Sequence, residues 1–303
     1  MSTYLITGGA GFIGTNLCEQ LVHDNHHVIV VDDLSAGTDP KRLPQEVVFH
    51  KLDVCDTEAL VPLLAGVDVV VHLVARPSIP YSIDHPFHAQ HVNIDGTLSV
   101  MEAVRTAGVK RVVYAASASA YGNQDTMPLT ETMPAQPNSP YGLHKYYGEH
   151  LMKIWHLIHG IETVSLRFFN TYGPHLDPTG AYALVIGRFL KQRSEGLPMT
   201  ITGDGEQTRD LVHVRDLARA VILASQSSAV GKGEVMNVGA GVGISVNAIA
   251  ELVGGPVEYI PPRIEPRHTC ADLHCIEEVL QWKPEVSLHE GVEELKRLLG
   301  LIA

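Results

Sequence analysis

The stretch YLITGGAGFIGTNL, residues 4–17, decides the fold. A short apolar run reads as a strand, a glycine cluster as a turn, and the segment beyond it as the start of a helix. Gly8, Gly11 and Gly14 follow a G-x-x-G-x-x-G spacing. Without side chains there, the backbone can turn tightly and lie close to a pyrophosphate. The helix N-terminus then offers amide donors and a partial positive charge.

Outward from this turn the pattern repeats. TYLITGG, HVIVVDD, VVFHKLD, VDVVVHLVA, RVVYAAS and TVSLRFFN are short, rich in β-branched residues and bounded by turn signals. Helix-like stretches such as GTNLCEQLVHD and GTLSVMEAVRTAG lie between them. Strand–helix alternation of this kind predicts an α/β chain with a doubly wound parallel sheet of Rossmann type. After about residue 170 Pro and Gly become frequent, which predicts a smaller C-terminal α/β lobe. The expected division is a dinucleotide-binding domain over residues 1–168, with a returning segment near 209–238, and a substrate lobe over residues 169–303. Asp32 ends the second strand about 20 residues after the glycine turn, where an acid accepts hydrogen bonds from an adenosine ribose. A carboxylate there repels a 2′-phosphate, so the expected cofactor is NAD rather than NADP. Asp53, at the end of the third strand, is a candidate adenine contact.

Composition narrows the partners. The chain has 303 residues, 45% hydrophobic and 18% charged, with a net charge of −12. That sign argues against a nucleic-acid surface. No apolar run reaches the roughly 18 residues of a membrane span. The opening MSTYLITGGAG carries no signal-type segment, so a cytoplasmic location is expected. Cys18, Cys55, Cys270 and Cys275 form no C-x-x-C pair and read as reduced small hydrophobes. His85, His88 and His91 recur every three residues, but no thiolate or carboxylate support marks a metal site, and none is expected.

ASASAYGNQDTMPLTETMPAQPNSPYGLHKYYGEH, residues 116–150, holds the candidate catalytic groups Ser117, Tyr141 and Lys145. Tyr141 and Lys145 are four apart, on one helix face. Ser139 suits the N-cap and Pro140 the first turn. A phenol titrates near 10. A neighbouring ammonium and a cationic nicotinamide both favour the phenolate, which makes a usable base near neutrality. Ser117 falls at a strand end, where hydroxyls face the cleft of such sheets.

TGGAGFIG, SASAYG and YGLHK resemble the extended short-chain dehydrogenase/reductase family, specifically its nucleotide-sugar epimerases and dehydratases. HVNIDGT, LRFFNTYGP, GDGEQTRDLVHVRDLA and RHTCAD extend the resemblance over nearly the whole chain. It implies tightly held NAD, contacted also by Phe12, Ile13, Val54, Leu73, Ala75 and Asn93. It implies a nucleoside-diphosphate sugar held by Ser117, Ser119, Asn170, Arg188, Thr200 and Arg209. Arg263 is a second arginine candidate, in a segment one residue shorter than the family pattern. The residues after Ser117 are Ala118 and Ser119, without the acids of the T-D-E-x-Y-G dehydratases or the glutamate of the T-S-E-V-Y-G decarboxylases. What remains is oxidation and re-reduction at one carbon, the C4 epimerisation of a UDP-sugar. A uronic-acid epimerase, a dehydratase drawing acids from elsewhere, or a reductase is the alternative. DPTGAYALVIGRF resembles UDP-N-acetylglucosamine 4-epimerases, and Thr269 aligns with the residue beside the sugar's C2 substituent. A threonine there leaves room for an acetamido group, so both UDP-Glc/UDP-Gal and UDP-GlcNAc/UDP-GalNAc are expected substrates. The resemblance also implies a homodimer, with Leu151, Ile154, Trp155 and Ile158 as a candidate apolar stripe.

Overall fold

The structure is a computed structural model that describes residues 1–177, 184–262 and 267–302. Seven strands form one all-parallel sheet. In chain order they are β1 (Thr3–Thr7), β2 (His27–Asp32), β3 (Val48–Lys51), β4 (Val69–His72), β5 (Arg111–Ser117), β6 (Glu162–Phe168) and, after a long excursion, β10 (Lys232–Val238). Their spatial order is β10-β6-β5-β4-β1-β2-β3. Order reverses between β1 and β4, the crevice where open parallel sheets place their ligands.

Alternation along each strand feeds a core on each face. Tyr4, Ile6, Val69, Val71 and Val113 face a cluster completed by the helices Phe12–His23 and Val214–Gln226. Leu5, Val70, Val112, Tyr114 and Ala116 face the other, under the helices Gly96–Ala107 and Pro140–His159. Strands buried on both faces read as near-continuous apolar runs, which is why they stood out in the sequence.

The C-terminal part has its own core around Tyr172, Ile186, Phe189, Ile201, Leu211 and Ile249. Two small sheets line it. One joins β7 (Asn170–Tyr172), β9 (Thr208–His213) and β11 (Gly243–Ser245). The other pairs β8 (Met199–Thr202) with β12 (Val257–Ile260). The returning segment therefore divides. β9 pairs with β7 in the small sheet, and only the following helix and β10 rejoin the main one. The chain leaves β6 at Phe168 and enters β7 two residues later, at Asn170, and β9 pairs with that strand. Residues 276–282 also return, with Ile276, Leu280 and the fully buried Trp282 in the first core. No helix among the described residues is long and apolar enough to cross a membrane.

Candidate active site

The glycine turn fits a dinucleotide by its tightness. Gly8 has φ +72°, and a Cβ there would lie 3.0 Å from the Val74 amide nitrogen of the neighbouring strand end. A Cβ on Gly14 would sit 2.5 Å from the Gly9 Cα, so the helix can start close under the turn. Gly11 is the N-cap of Phe12–His23, and Phe12, Ile13 and Gly14 form its first turn, whose amides have no intrahelical acceptor. Asp32 is 7% exposed. It accepts from Ala10 N at 3.1 Å and Leu34 N at 2.8 Å, which clamps the turn against the end of β2. Burial raises its carboxyl above the usual range, opposed by those two amides. A ribose hydroxyl offered here finds a confined acceptor. Asp53 behaves otherwise: it is exposed and accepts from Cys55 N at 2.9 Å, the bond of a turn. Val54 beside it is core, and Leu73 and Ala75 are half-buried beyond β4.

Asn93 is 2% exposed in a π-helical turn, His91–Asp95. Its Oδ1 accepts from Arg76 N at 2.7 Å and its Nδ2 donates to Arg76 O, so it fixes the loop after β4. A buried relay lies below. Thr97 Oγ1 donates to Asn93 O at 2.7 Å, which uses its only proton. The 3.0 Å contact with His72 Nε2 must then be a donation from the ring. His72 Nδ1 consequently accepts from Thr7 Oγ1 at 2.7 Å. Burial, and next the charge of Lys145, lower His72 to about 3, so the ring is neutral.

One contact sets the turn after Ser117 against the helix that carries Tyr141. Ser117 ends β5 and its Oγ accepts from Ser119 N at 3.1 Å, which opens a short turn. The Ser119 carbonyl lies where a Cβ of Gly142 would be, 2.5 Å away, so the next helix starts directly against that turn. Ser139 caps the helix by accepting from Gly142 N at 3.1 Å, and Pro140 occupies its first turn. Tyr141 is 9% exposed, and its backbone N donates to Ser82 Oγ at 3.2 Å. Lys145, one turn on, donates from Nζ to Ala115 O at 2.7 Å and lies 5.0 Å over the Tyr114 ring. Burial lowers its ammonium to about 7, and Glu149 opposes the fall.

Beyond β6 a cavity of about 270 Å³ opens in the C-terminal part. Asn170, Arg188, Thr200 and Arg209 all line it, joined by Thr202 and Gln207, which the sequence did not single out. Asn170 donates from Nδ2 to Asp210 O at 3.2 Å, and Arg209 donates from Nη1 to Thr208 O at 2.8 Å. Ser117 pairs in register with Phe168, two residues before Asn170, so the end of β5 lies beside the strand end that leads into the cavity. Thr269 sits against β9, where its Oγ1 accepts from Asp210 N at 3.2 Å. Asp210 also accepts from Ala240, Gly241 and Ala271 amides at 2.6–3.0 Å and so fixes the segment carrying Thr269. Arg263 lies outside the described residues. Of the tempting histidines, His88 meets Tyr81 Oη at 2.6 Å and His91 meets Asp95 at 3.1 Å. Among the described residues no group of three or more His, Cys, Asp or Glu could hold a metal.

The family model described as the NAD dependent epimerase/dehydratase family matches residues 4–239. The chain belongs to that family. It is an NAD-dependent enzyme, and the reaction class its relatives share is isomerisation. A UDP-glucose 4-epimerase of Mycolicibacterium smegmatis is 38% identical over 302 residues, 95% of each chain. A UDP-N-acetylglucosamine 4-epimerase from Methanobrevibacter ruminantium, solved with UDP-N-acetylmuramic acid, superposes with TM-score 0.93 at 30% identity, covering 99% of each chain. A UDP-glucuronic acid 4-epimerase from Bacillus cereus, solved with UDP-glucuronic acid and NAD, gives 0.88 at 31% identity over 98% of this chain and 99% of that one.

Proposed function

We propose that this family member epimerises UDP-sugars at C4. Its substrates are UDP-Glc/UDP-Gal and also UDP-GlcNAc/UDP-GalNAc. What supports the proposal is that the helix carrying Tyr141 and Lys145 starts against the turn after Ser117, and that Ser117 pairs with Phe168, two residues before Asn170 of the Asn170–Arg209 cavity. Residues 1–168, with the returning helix and strand, form the cofactor half, and residues 169–303 supply most of the sugar half.

The glycine turn, Asp32 and Asn93 hold NAD, with Lys145 toward its ribose hydroxyls. When bound there, the dinucleotide would supply a reversible hydride acceptor for the sugar C4. Tyr141, as phenolate, takes the proton of the 4-hydroxyl, directly or through Ser117, whose Oγ accepts from Ser119 N and keeps its own proton free to pass on. The ammonium of Lys145 one turn away favours that phenolate. Arg209 and Arg188 bind the diphosphate with Asn170, so the 4-keto sugar can turn while its tail stays fixed. Ala118 and Ser119 offer no carboxyl acid for loss of water. Thr269, held on β9, leaves room beside C2 for an acetamido group.

The apolar stripe expected on the catalytic helix divides. Leu151 is core and Trp155 packs against it, because they share the inward face four residues apart. Ile154, Leu157 and Ile158 are 43%, 72% and 69% exposed, with Leu98 of the neighbouring helix at 40%. We propose that the same face of a second copy covers them.

The test is incubation of the purified protein with UDP-Glc and UDP-GlcNAc separately, without added NAD, followed by proton NMR. Each should yield its C4 epimer, and Tyr141→Phe should slow both by about a hundred- to ten-thousand-fold. Release of water with a stable keto sugar, or turnover unchanged in Tyr141→Phe, would sink the proposal.

A further inference from the structure

We propose that Glu149 and Arg167 are a positioning pair for Lys145: Glu149 supplies the counter-charge that keeps the lysine an ammonium, and Arg167 holds that carboxylate in place. The inference rests on the epimerase reading of the site.

Glu149 lies four residues after Lys145 on the catalytic helix, hence on the face that carries Tyr141 and Lys145. Both residues of the pair are 4% exposed. Arg167, on β6, donates from Nε and Nη2 to the two carboxylate oxygens at 2.8 Å each. Its remaining guanidinium nitrogen, Nη1, is buried without a hydrogen-bond partner among the described residues. A buried ion pair with an unmet donor is poor stabilisation, since apolar residues of the same volume would serve as well or better. A use for the charge itself accounts better for its presence.

The charges around Lys145 point to that use. From its own helix it faces Tyr141 and Glu149. From β5 it meets the Tyr114 ring and the Ala115 carbonyl. From β4 it feels His72, which is neutral. Glu149 is the one acid among these groups. Burial pulls Lys145 down to about 7, and Glu149 is what opposes it. On the far side, Arg167 is seated 4.4 Å over the Tyr121 ring, and its charge also favours the ionised form of Glu131. Tyr121 Oη donates to Asn237 Oδ1 at 2.7 Å, and Asn237 Nδ2 donates to Leu129 O and Asp272 O. The pair is thereby fastened to the segment that leads from Thr269.

Two variants and two readouts test this. Isotope-labelled lysine, assigned against Lys145→Met, gives the titration of Lys145 directly by NMR, and kcat is followed against pH in parallel. In Glu149→Gln the Lys145 midpoint should fall by about one pH unit or more. The alkaline limb of kcat should move down with it, and kcat at neutral pH should drop about ten-fold with KM held. Glu149→Gln strands a buried guanidinium, so the double variant Glu149→Gln/Arg167→Met serves as the control. It should regain the melting temperature yet keep the lowered midpoint and limb. A midpoint unmoved in either folded variant, or a double variant that regains the wild-type limb along with its stability, overturns the proposal. A wild type without UDP-sugar turnover would remove the epimerase reading, while the lysine titration would still decide what Glu149 does.

Discussion

At the residue scale, Lys145 is the group under most tension. Its ammonium is fully enclosed, and burial moves its pKa from the ordinary lysine value of 10.5 to about 7. The sign follows from proton counting: between those values the unfolded chain holds a proton that the folded one has released, so stability rises with pH across that window. Chemical denaturation of the NAD-free protein from about pH 7 to 10 should show this rise, and it should be missing in Lys145→Met. An equal slope in both would place the titration elsewhere. Much of this site could be read locally. Ser139, Pro140, Tyr141 and Lys145 lie within seven residues, and caps and i, i+4 faces are short-range features. Asp53 could not be told apart in the same way, because an acid after a strand serves a ribose, a base or its own turn equally well. Glu149 and Arg167 are 18 residues apart and meet only through the packing of helix on strand.

At the element scale, β9 carries Arg209 and Asp210 of the proposed substrate side. Asp210 is fully buried, and burial raises its carboxyl to about 6 against three backbone amides. Asp210→Asn keeps one acceptor and turns an NH₂ toward donors. It should cost about 1–3 kcal/mol of stability and raise KM for the UDP-sugar more than it lowers kcat. An unchanged KM in a destabilised protein would confine Asp210 to folding. On the segment it holds, Thr269→Tyr should cut turnover of UDP-GlcNAc about ten-fold or more relative to UDP-Glc. Unaltered preference between the sugars would remove the pocket proposed at Thr269. The six N-terminal strands were legible because each is a short run rich in β-branched residues bounded by turns, and all but the edge strand β3 are largely buried. The partner of β9 was not, since a strand's pattern shows how it is buried and says nothing of which edge it joins. The same gap hid the return of Trp282 to the main core.

At the scale of the whole molecule, the proposed cofactor crevice lies at the β1/β4 reversal and the proposed sugar cavity beyond β6. The exposed Ile154, Leu157 and Ile158 face sets the expected assembly. Sedimentation should give two chains for the wild type and one for Leu157→Asp/Ile158→Asp, and two chains for both would place the contact elsewhere. The stripe seen in the sequence could not be split into core and surface without knowing where the sheet lies. The central claim is that oxidation and re-reduction take place at one carbon of a UDP-sugar inside this crevice. The most direct measurement uses UDP-glucose carrying deuterium at C4 in ordinary water, with the product read by NMR and mass spectrometry. Retention of the label at C4 of the inverted sugar is the predicted result; its loss to solvent hydrogen would contradict the account.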